Sequence, residues 1–449
     1  MARLTHRRRA AAAVIAALCV SMVIAGCSSG SGSSAKPEES ATGPLNVWVR
    51  GANDSPKAYQ AIFDAFTKKT GIEIKPFFTL TDFETKLTAA AAAHQLPDYV
   101  VDDAAQLGNF KTQGIIQKID KKKIAGSDKI SARSWDAAKD LKGDYYAIPF
   151  SAQANVLLIR SDWLSKLNLQ PPKTWEDVVS VAKAFTTQDP DGNGKADTYG
   201  LAVPGSTTRG YISWYWSTFF WQAGGEYFKS SGNDKFTATV NSSAGVQATK
   251  WFEDLFCSSK VVQPSSLNDT TTETNKAFQT GVTGMYYTGP YAFASMDALP
   301  ALKGKYTVVA PPAGPSGGAT LAEATDMFIM AGAKTAASRK LAEYMITPEA
   351  QQMGMTVVPT TTIVRLPVNT SVNAGTVHAG DDRWKLTQDL YEKSGKYEGD
   401  NMPNWTAIRQ ATSDGLNALV AKCGDPKSAL DGINDKLNSL LKQQGVGAS

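Results

Sequence analysis

Nine of the 18 residues from Tyr211 to Phe228 are aromatic: Tyr211, Trp214, Tyr215, Trp216, Phe219, Phe220, Trp221, Tyr227 and Phe228. Rings pack cores, but their flat apolar faces and polar tips also suit stacking on rigid amphipathic ligands. Burial preferences assign most of these rings to a core, and the chemistry rests on whichever of them faces a pocket. A second pattern runs from Asp189 to Asp197. Oxygen donors at positions 1, 3, 5 and 9 (Asp189, Asp191, Asn193, Asp197), with glycine at 6 and Lys195 offering a carbonyl, follow the calcium-loop spacing. Position 12 is Gly200 rather than glutamate, so the expectation is a weak structural calcium ion, against a plain solvated turn. No other cofactor is required. Catalytic patterns are sparse. Past residue 26 the histidines are His94 and His378, neither at metal-ligand spacing, and no Gly-x-Ser-x-Gly elbow occurs. An exported hydrolase using carboxylates such as Glu323 and Asp326 is the competing class.

The N-terminus gives the expected address. Arg3, Arg7, Arg8 and Arg9 precede an apolar run from Ala10 to Ile24, too short for a comfortable span and typical of a signal-peptide core. It ends in Ile24-Ala25-Gly26-Cys27, which resembles the bacterial lipobox. That resemblance implies cleavage of residues 1–26 and a lipid on Cys27. Residues 27–43 read as a flexible Gly/Ser-rich tether. The protein is then anchored to the outer face of the cell membrane rather than spanning it. Loss of residues 1–26 removes four arginines and leaves 42 basic and 42 acidic residues. That balance gives no footprint for nucleic acid or a polybasic membrane patch. Cys257 and Cys423 remain, and in an oxidising compartment two cysteines suggest one disulfide, with two buried thiols as the alternative.

These residues need a scaffold, and from Pro44 the pattern alternates strand and helix. Leu45, Val47 and Val49 alternate as a strand, and Ser55-Pro56 opens a helix that Gly71 closes. Ile72 to Ile74 and Tyr99 to Val101 follow as strands. The alternation argues for an α/β fold with a mostly parallel sheet. Ligands of such sheets sit at the carboxyl ends of strands, here Arg50 to Asp54, with Asn53 and Asp54, and Asp102 to Gln106, with Asp102 and Asp103. Thr174-Trp175-Glu176-Asp177 reads as a capping box. Later segments are mostly helical, including Ala244 to Phe256, Trp405 to Val420 and Lys427 to Leu441.

In this order the segments resemble the extracellular solute-binding proteins of the maltose-binding type. The motifs are Thr70-Gly71-Ile72-Glu73-Ile74, Leu96-Pro97-Asp98, Lys173-Thr174-Trp175, Ala223-Gly224-Gly225, Thr288-Gly289-Pro290-Tyr291 and Thr347-Pro348-Glu349. The resemblance implies a type II periplasmic-binding-protein-like fold of two α/β lobes. One lobe comprises 44–151 and 308–354, the other 152–307 and 355–449, with crossings near Phe150 to Ala154, Val308 to Pro312 and Met353 to Val357. It further implies a monomer that captures a sugar between the lobes and delivers it to the permease of an ABC importer. A sugar-sensing receptor on the same fold is a further alternative. By motif, Tyr291 and Trp214 take the places of stacking rings, with Trp216 beside the latter. Trp405 and Arg409 supply a second ring and a cation, and Gln153 stands where the family carries a carboxylate. Glu323 to Asp326 replace a glycine-rich strand, and Asp102-Asp103 replace an aromatic residue. Sugars need rings for their C–H faces and planar polar groups for their hydroxyl rim, which this set offers. Cys257 and Cys423 both follow helices of the second lobe and are expected to be bonded.

Overall fold

The computed structural model describes residues 43–51, 53–399 and 401–448. Residues 1–42, which hold the expected signal peptide, Cys27 and all of the expected tether but Gly43, lie outside the described residues. The strands in chain order are β1 (Leu45–Arg50), β2 (Ile74–Thr79), β3 (Tyr99–Asp103), β4 (Ile148–Ala154), β5 (Val156–Arg160), β6 (Tyr199–Ala202), β7 (Phe228–Gly232), β8 (Lys235–Ala238), β9 (Thr283–Thr288), β10 (Tyr306–Val309), β11 (Thr320–Ile329), β12 (Leu366–Pro367) and β13 (Gly395–Lys396). They form two sheets and a hairpin. The first sheet runs β12-β4-β11-β3-β1-β2, with β13 beside β11; the second runs β10-β5-β9-β6; β7 and β8 pair alone.

β1 lies parallel to β2 and β3, but β11 is antiparallel to both β3 and β4. The first sheet is therefore mixed rather than mostly parallel. β11 follows the strands of the second sheet in sequence and returns to lie between β3 and β4. Its burial at every position but Glu323 suits that central place.

Local signals act where the residues place them. Pro56 sits in the first turn of the helix Ser55–Thr70, where its missing N–H costs nothing. Thr174 and Asp177 cap the helix Trp175–Thr187 reciprocally. The helix Tyr211–Gln222 is buried at every position from Ile212 onward, as a helix apolar all round must be. Among the described residues, no helix is long and apolar enough to cross a membrane.

Two cores result. One surrounds Phe63, Phe66, Tyr99, Phe150 and Phe328 and continues to Val156, Leu158 and Tyr286. The other holds Trp163, Trp175, the rings of the helix Tyr211–Gln222, and Trp405. The crossings differ from expectation. The first falls at Asn155, between β4 and β5, because β4 stays paired with β11 through Ala154. Val308 and Val309 still belong to the second sheet, paired with Leu158 and Leu157, so the second crossing lies at 310–319. The third comes after β13, not at Met353 to Val357. Residues 355–396 pack largely with the first core: Leu366 pairs with Ala152, and Trp384 and Tyr391 are buried there.

Candidate functional site between the lobes

The first lobe brings charged and polar side chains to one end of its sheet. Asp103 ends β3 opposite Thr325 of β11, and Gln153 near the end of β4 lies opposite Glu323. Gln153 Nε2 donates to Glu323 Oε2 at 2.6 Å. Arg50, the last residue of β1, places Nη1 3.4 Å from Asp103 Oδ1. Arg365, just before β12, donates from Nη1 to Thr325 Oγ1 at 3.2 Å.

The second lobe answers with Arg209, Trp214, Tyr291 and Arg409. Arg209 adopts a left-handed backbone (φ 53°), a conformation rarely held outside functional or tightly constrained positions. From there Nη2 crosses to Glu84 Oε1 at 2.5 Å and Asp103 Oδ2 at 3.0 Å. The Trp214 side chain stands beside Glu323 and favours its charged form. Arg409 pairs with Glu398, which also accepts from Ser217 Oγ at 2.9 Å. The Arg365 guanidinium stands 5.5 Å above the Tyr291 ring. The lobes are thus drawn together. Thr112 Oγ1 donates to the Pro403 carbonyl at 2.7 Å. Gly108 lies so close to that segment that a Cβ there would fall 1.8 Å from the Met402 carbonyl oxygen.

Burial sets the electrostatics. It opposes the charge of Asp103, but Arg50, Arg209, Arg409 and Arg365 outweigh it and hold that carboxyl well below its usual range. At Asp102 the opposing pull of Arg209 and Arg50 is too weak. Burial, then the charges of Glu84 and Asp103, push its carboxyl well up. Burial and Asp103 also raise Glu323. Several buried polar atoms have no hydrogen-bond partner among the described residues, including Gln153 Oε1 and Arg365 Nε. Such orphans are rare in folded proteins and call for a missing partner.

The structure brings together Asp103, Gln153, Glu323, Trp214, Tyr291 and Arg409. It corrects the others. Trp216 is core: its indole donates to Thr249 Oγ1 at 3.1 Å and its ring stacks on Phe220 at 4.4 Å. Trp405 is also core, fully buried and edge-on to Tyr227 at 5.0 Å, its indole donating to Glu398. It supports Arg409 through Glu398 rather than offering a face. Asn53 is exposed, and Asp54 bonds to Lys57 and Thr360, away from the cluster. Asp102 and Asp326 are buried opposite each other on β3 and β11, and Asp102 stays at the cluster's inner edge, its Oδ1 3.9 Å from Arg50 Nε. Arg209, Glu84, Arg365 and Glu398 carry no local motif that would single them out. Arg50 alone had a signal, standing at a strand's carboxyl end.

Elsewhere, Cys257 and Cys423 are joined by a disulfide. In the loop Asp189–Asp197, Asp189 accepts from the amides of Gly192, Asn193 and Gly194, while the Asn193 side chain reaches Asp191 at 2.8 Å and Asp197 at 3.2 Å. Asn193 donates to both aspartates from Nδ2, while its Oδ1 accepts from the Lys195 N–H at 2.8 Å, so an all-oxygen calcium set would require that side-chain amide to turn over. Gly200 cannot be replaced by a glutamate ligand, since a Cβ there would lie 2.3 Å from Ala182.

Comparison with known proteins gives this geometry its context. Residues 52–352 match the family described as bacterial extracellular solute-binding protein. The polygalacturonan/rhamnogalacturonan-binding protein YtcQ of Bacillus subtilis is 37% identical over 128 residues, 26% of this chain and 25% of that protein. The fructooligosaccharide ABC transporter substrate-binding protein FusA of Streptococcus pneumoniae is 31% identical over 159 residues, 30% of this chain and 29% of that one. The chain thus matches about a quarter of the length of such relatives. Among solved structures, the GacH receptor of Streptomyces glaucescens superposes with a TM-score of 0.77 at 20% identity, covering 89% of this chain and 99% of that one. The maltose-bound MalE3 of T. maritima gives 0.74 at 18%, over 89% and 100%. Those likenesses carry the two-lobed fold. With the family match spanning most of the described residues, this chain belongs to the bacterial extracellular solute-binding proteins.

Proposed function

We propose that the protein captures a saccharide between its lobes and delivers it to an ABC importer, working as a monomer held to the outer membrane face by a lipid on Cys27. The observation that carries this reading is the buried, unpartnered Gln153 Oε1 beside Glu323, within a site also lined by Trp214 and Tyr291. A hydroxyl rim would supply the missing donor, and a sugar's C–H face would meet the rings. The printed names of YtcQ and FusA, one binding polygalacturonan and the other fructooligosaccharide, support a saccharide. The reading is of binding, not turnover. Glu323 is already engaged by Gln153 and Trp214, and Asp326 lies across the sheet from Asp102.

Closure is the working step. A ligand bridging the lobes shifts the open–closed equilibrium by its differential affinity for the closed state. A thermal-shift screen against mono- and oligosaccharides tests the proposal. A ligand at 100 times its Kd stabilises the native state by about 2.7 kcal/mol, so a true ligand raises the melting temperature, and Gln153→Leu reduces that rise. No shift with any saccharide would reject it. For the loop Asp189–Asp197 we propose a structural calcium ion held by Asp189, Asp191, Asn193, Asp197 and the Lys195 carbonyl. Calorimetric titration of chelated protein with calcium tests it, and absence of heat rejects it.

A further inference from the structure

The site's four guanidiniums are not equivalent. Arg50 faces Asp103, Arg209 bridges Glu84 and Asp103, and Arg409 pairs with Glu398. Arg365 has no such counterpart: among the described residues no carboxylate oxygen lies within 4.0 Å of it. Its Nη1 spends one donor on Thr325 Oγ1, and its plane rests over Tyr291. Among the described residues, buried Nε has no hydrogen-bond partner and Nη2 donates no hydrogen bond. The Nε–Nη2 edge is the side of arginine that holds a carboxylate by two parallel bonds. Asp103 feels the Arg365 charge at longer range, but a part-buried guanidinium edge with no hydrogen-bond partner is costly unless something fills it.

We propose that the solute carries a carboxylate, and that the free edge of Arg365 grips it while Tyr291 covers the adjoining ring. This rests on the saccharide reading and narrows it to uronate-type sugars. The placement supports it. Arg365 is fixed by its own backbone, whose N–H donates to Ser151 Oγ at 2.9 Å and whose neighbour Leu366 pairs with Ala152 of β4. The guanidinium is therefore presented by the sheet rather than by a loose side chain. Hydroxyls would fall to the Gln153 and Glu323 part of the site, and the acid group to the Arg365 part.

Calorimetry decides between outcomes, using trimers of galacturonate, glucuronate and guluronate, each matched to its carboxyl-reduced neutral counterpart. The expected result is that at least one uronate trimer binds about tenfold or more tightly than its neutral match, as a charge-assisted bidentate pair implies. That gap should shrink as sodium chloride rises from about 50 to about 500 mM. Arg365→Gln should narrow it, and Arg365→Lys should restore part of it; melting curves confirm that both variants fold. Equal binding of acidic and neutral trimers overturns the inference but leaves the saccharide reading standing. A gap that persists in Arg365→Gln overturns the assignment to Arg365. Failure of every trimer, charged or neutral, overturns both.

Discussion

Trp214 and Trp216 are two residues apart on one helix, yet they answer to different demands. Trp214 stands beside Glu323 of the opposite lobe, whereas Trp216 is sandwiched inside its own lobe by Phe220 and Thr249. Trp214→Ala should weaken solute binding about tenfold or more with little change in melting, read by calorimetry. Trp216→Ala should instead cost about 3–5 kcal/mol of stability, read by denaturant unfolding. Asp103 gives a pH prediction. A free aspartate ionises near ~3.9, and the surrounding guanidiniums hold this one lower in the closed protein. Its contribution is therefore fully present above about pH 4 and is lost as pH falls toward the folded value. Scattering should show the lobes loosening in that acid range, and Asp103→Asn should abolish that step.

The residues legible in the sequence were those attached to a motif: Trp214 by its distance from Gly224-Gly225, Tyr291 by the preceding Gly-Pro, Gln153 by Pro149. Arg209, Glu84 and Arg365 were not legible, because an ion pair across two lobes leaves no local spacing. Trp405 misled for the opposite reason. Its motif placed it correctly on a helix, but a ring type does not say which side of that helix meets solvent.

At the scale of elements, the sequence showed most helices within a few residues but missed where the chain changes lobes. The sequence puts a crossing near Phe150 to Ala154, and only the pairing of β4 with β11 through Ala154 places the break at Asn155. Residues 355–396 read as generic helix; their assignment to the first lobe comes from tertiary packing of Trp384 and Tyr391, not from periodicity. Close approach of elements makes a sharper prediction. The Gly108 backbone lies against Met402 and Pro403 across the cleft, with no space for a Cβ. Gly108→Ala should leave each lobe folded but hold them apart. Small-angle scattering with ligand present should then show reduced compaction, and affinity should fall.

Across the whole molecule, Arg209 ties the lobes through Glu84 and Asp103. Arg209→Ala should lower the closed fraction before ligand is added, visible as a larger radius of gyration than that of the parent protein. The disulfide acts at a different place. Cys257 ends the helix Ser243–Phe256, and Cys423 caps the helix Trp405–Lys422, which carries Arg409 to the site. Changing both cysteines to serine should cost about 2–5 kcal/mol, measured by thermal unfolding.

That bridge also bears on how the molecule is made. The two sulfurs lie 166 residues apart in sequence, so the bond cannot form until nearly the whole chain has emerged. Beyond Cys27 no third cysteine competes for it, so oxidation has a single intramolecular product in the body of the protein. Recombinant production then needs an oxidising compartment but no isomerase to correct mispairing, provided that Cys27 is removed or blocked.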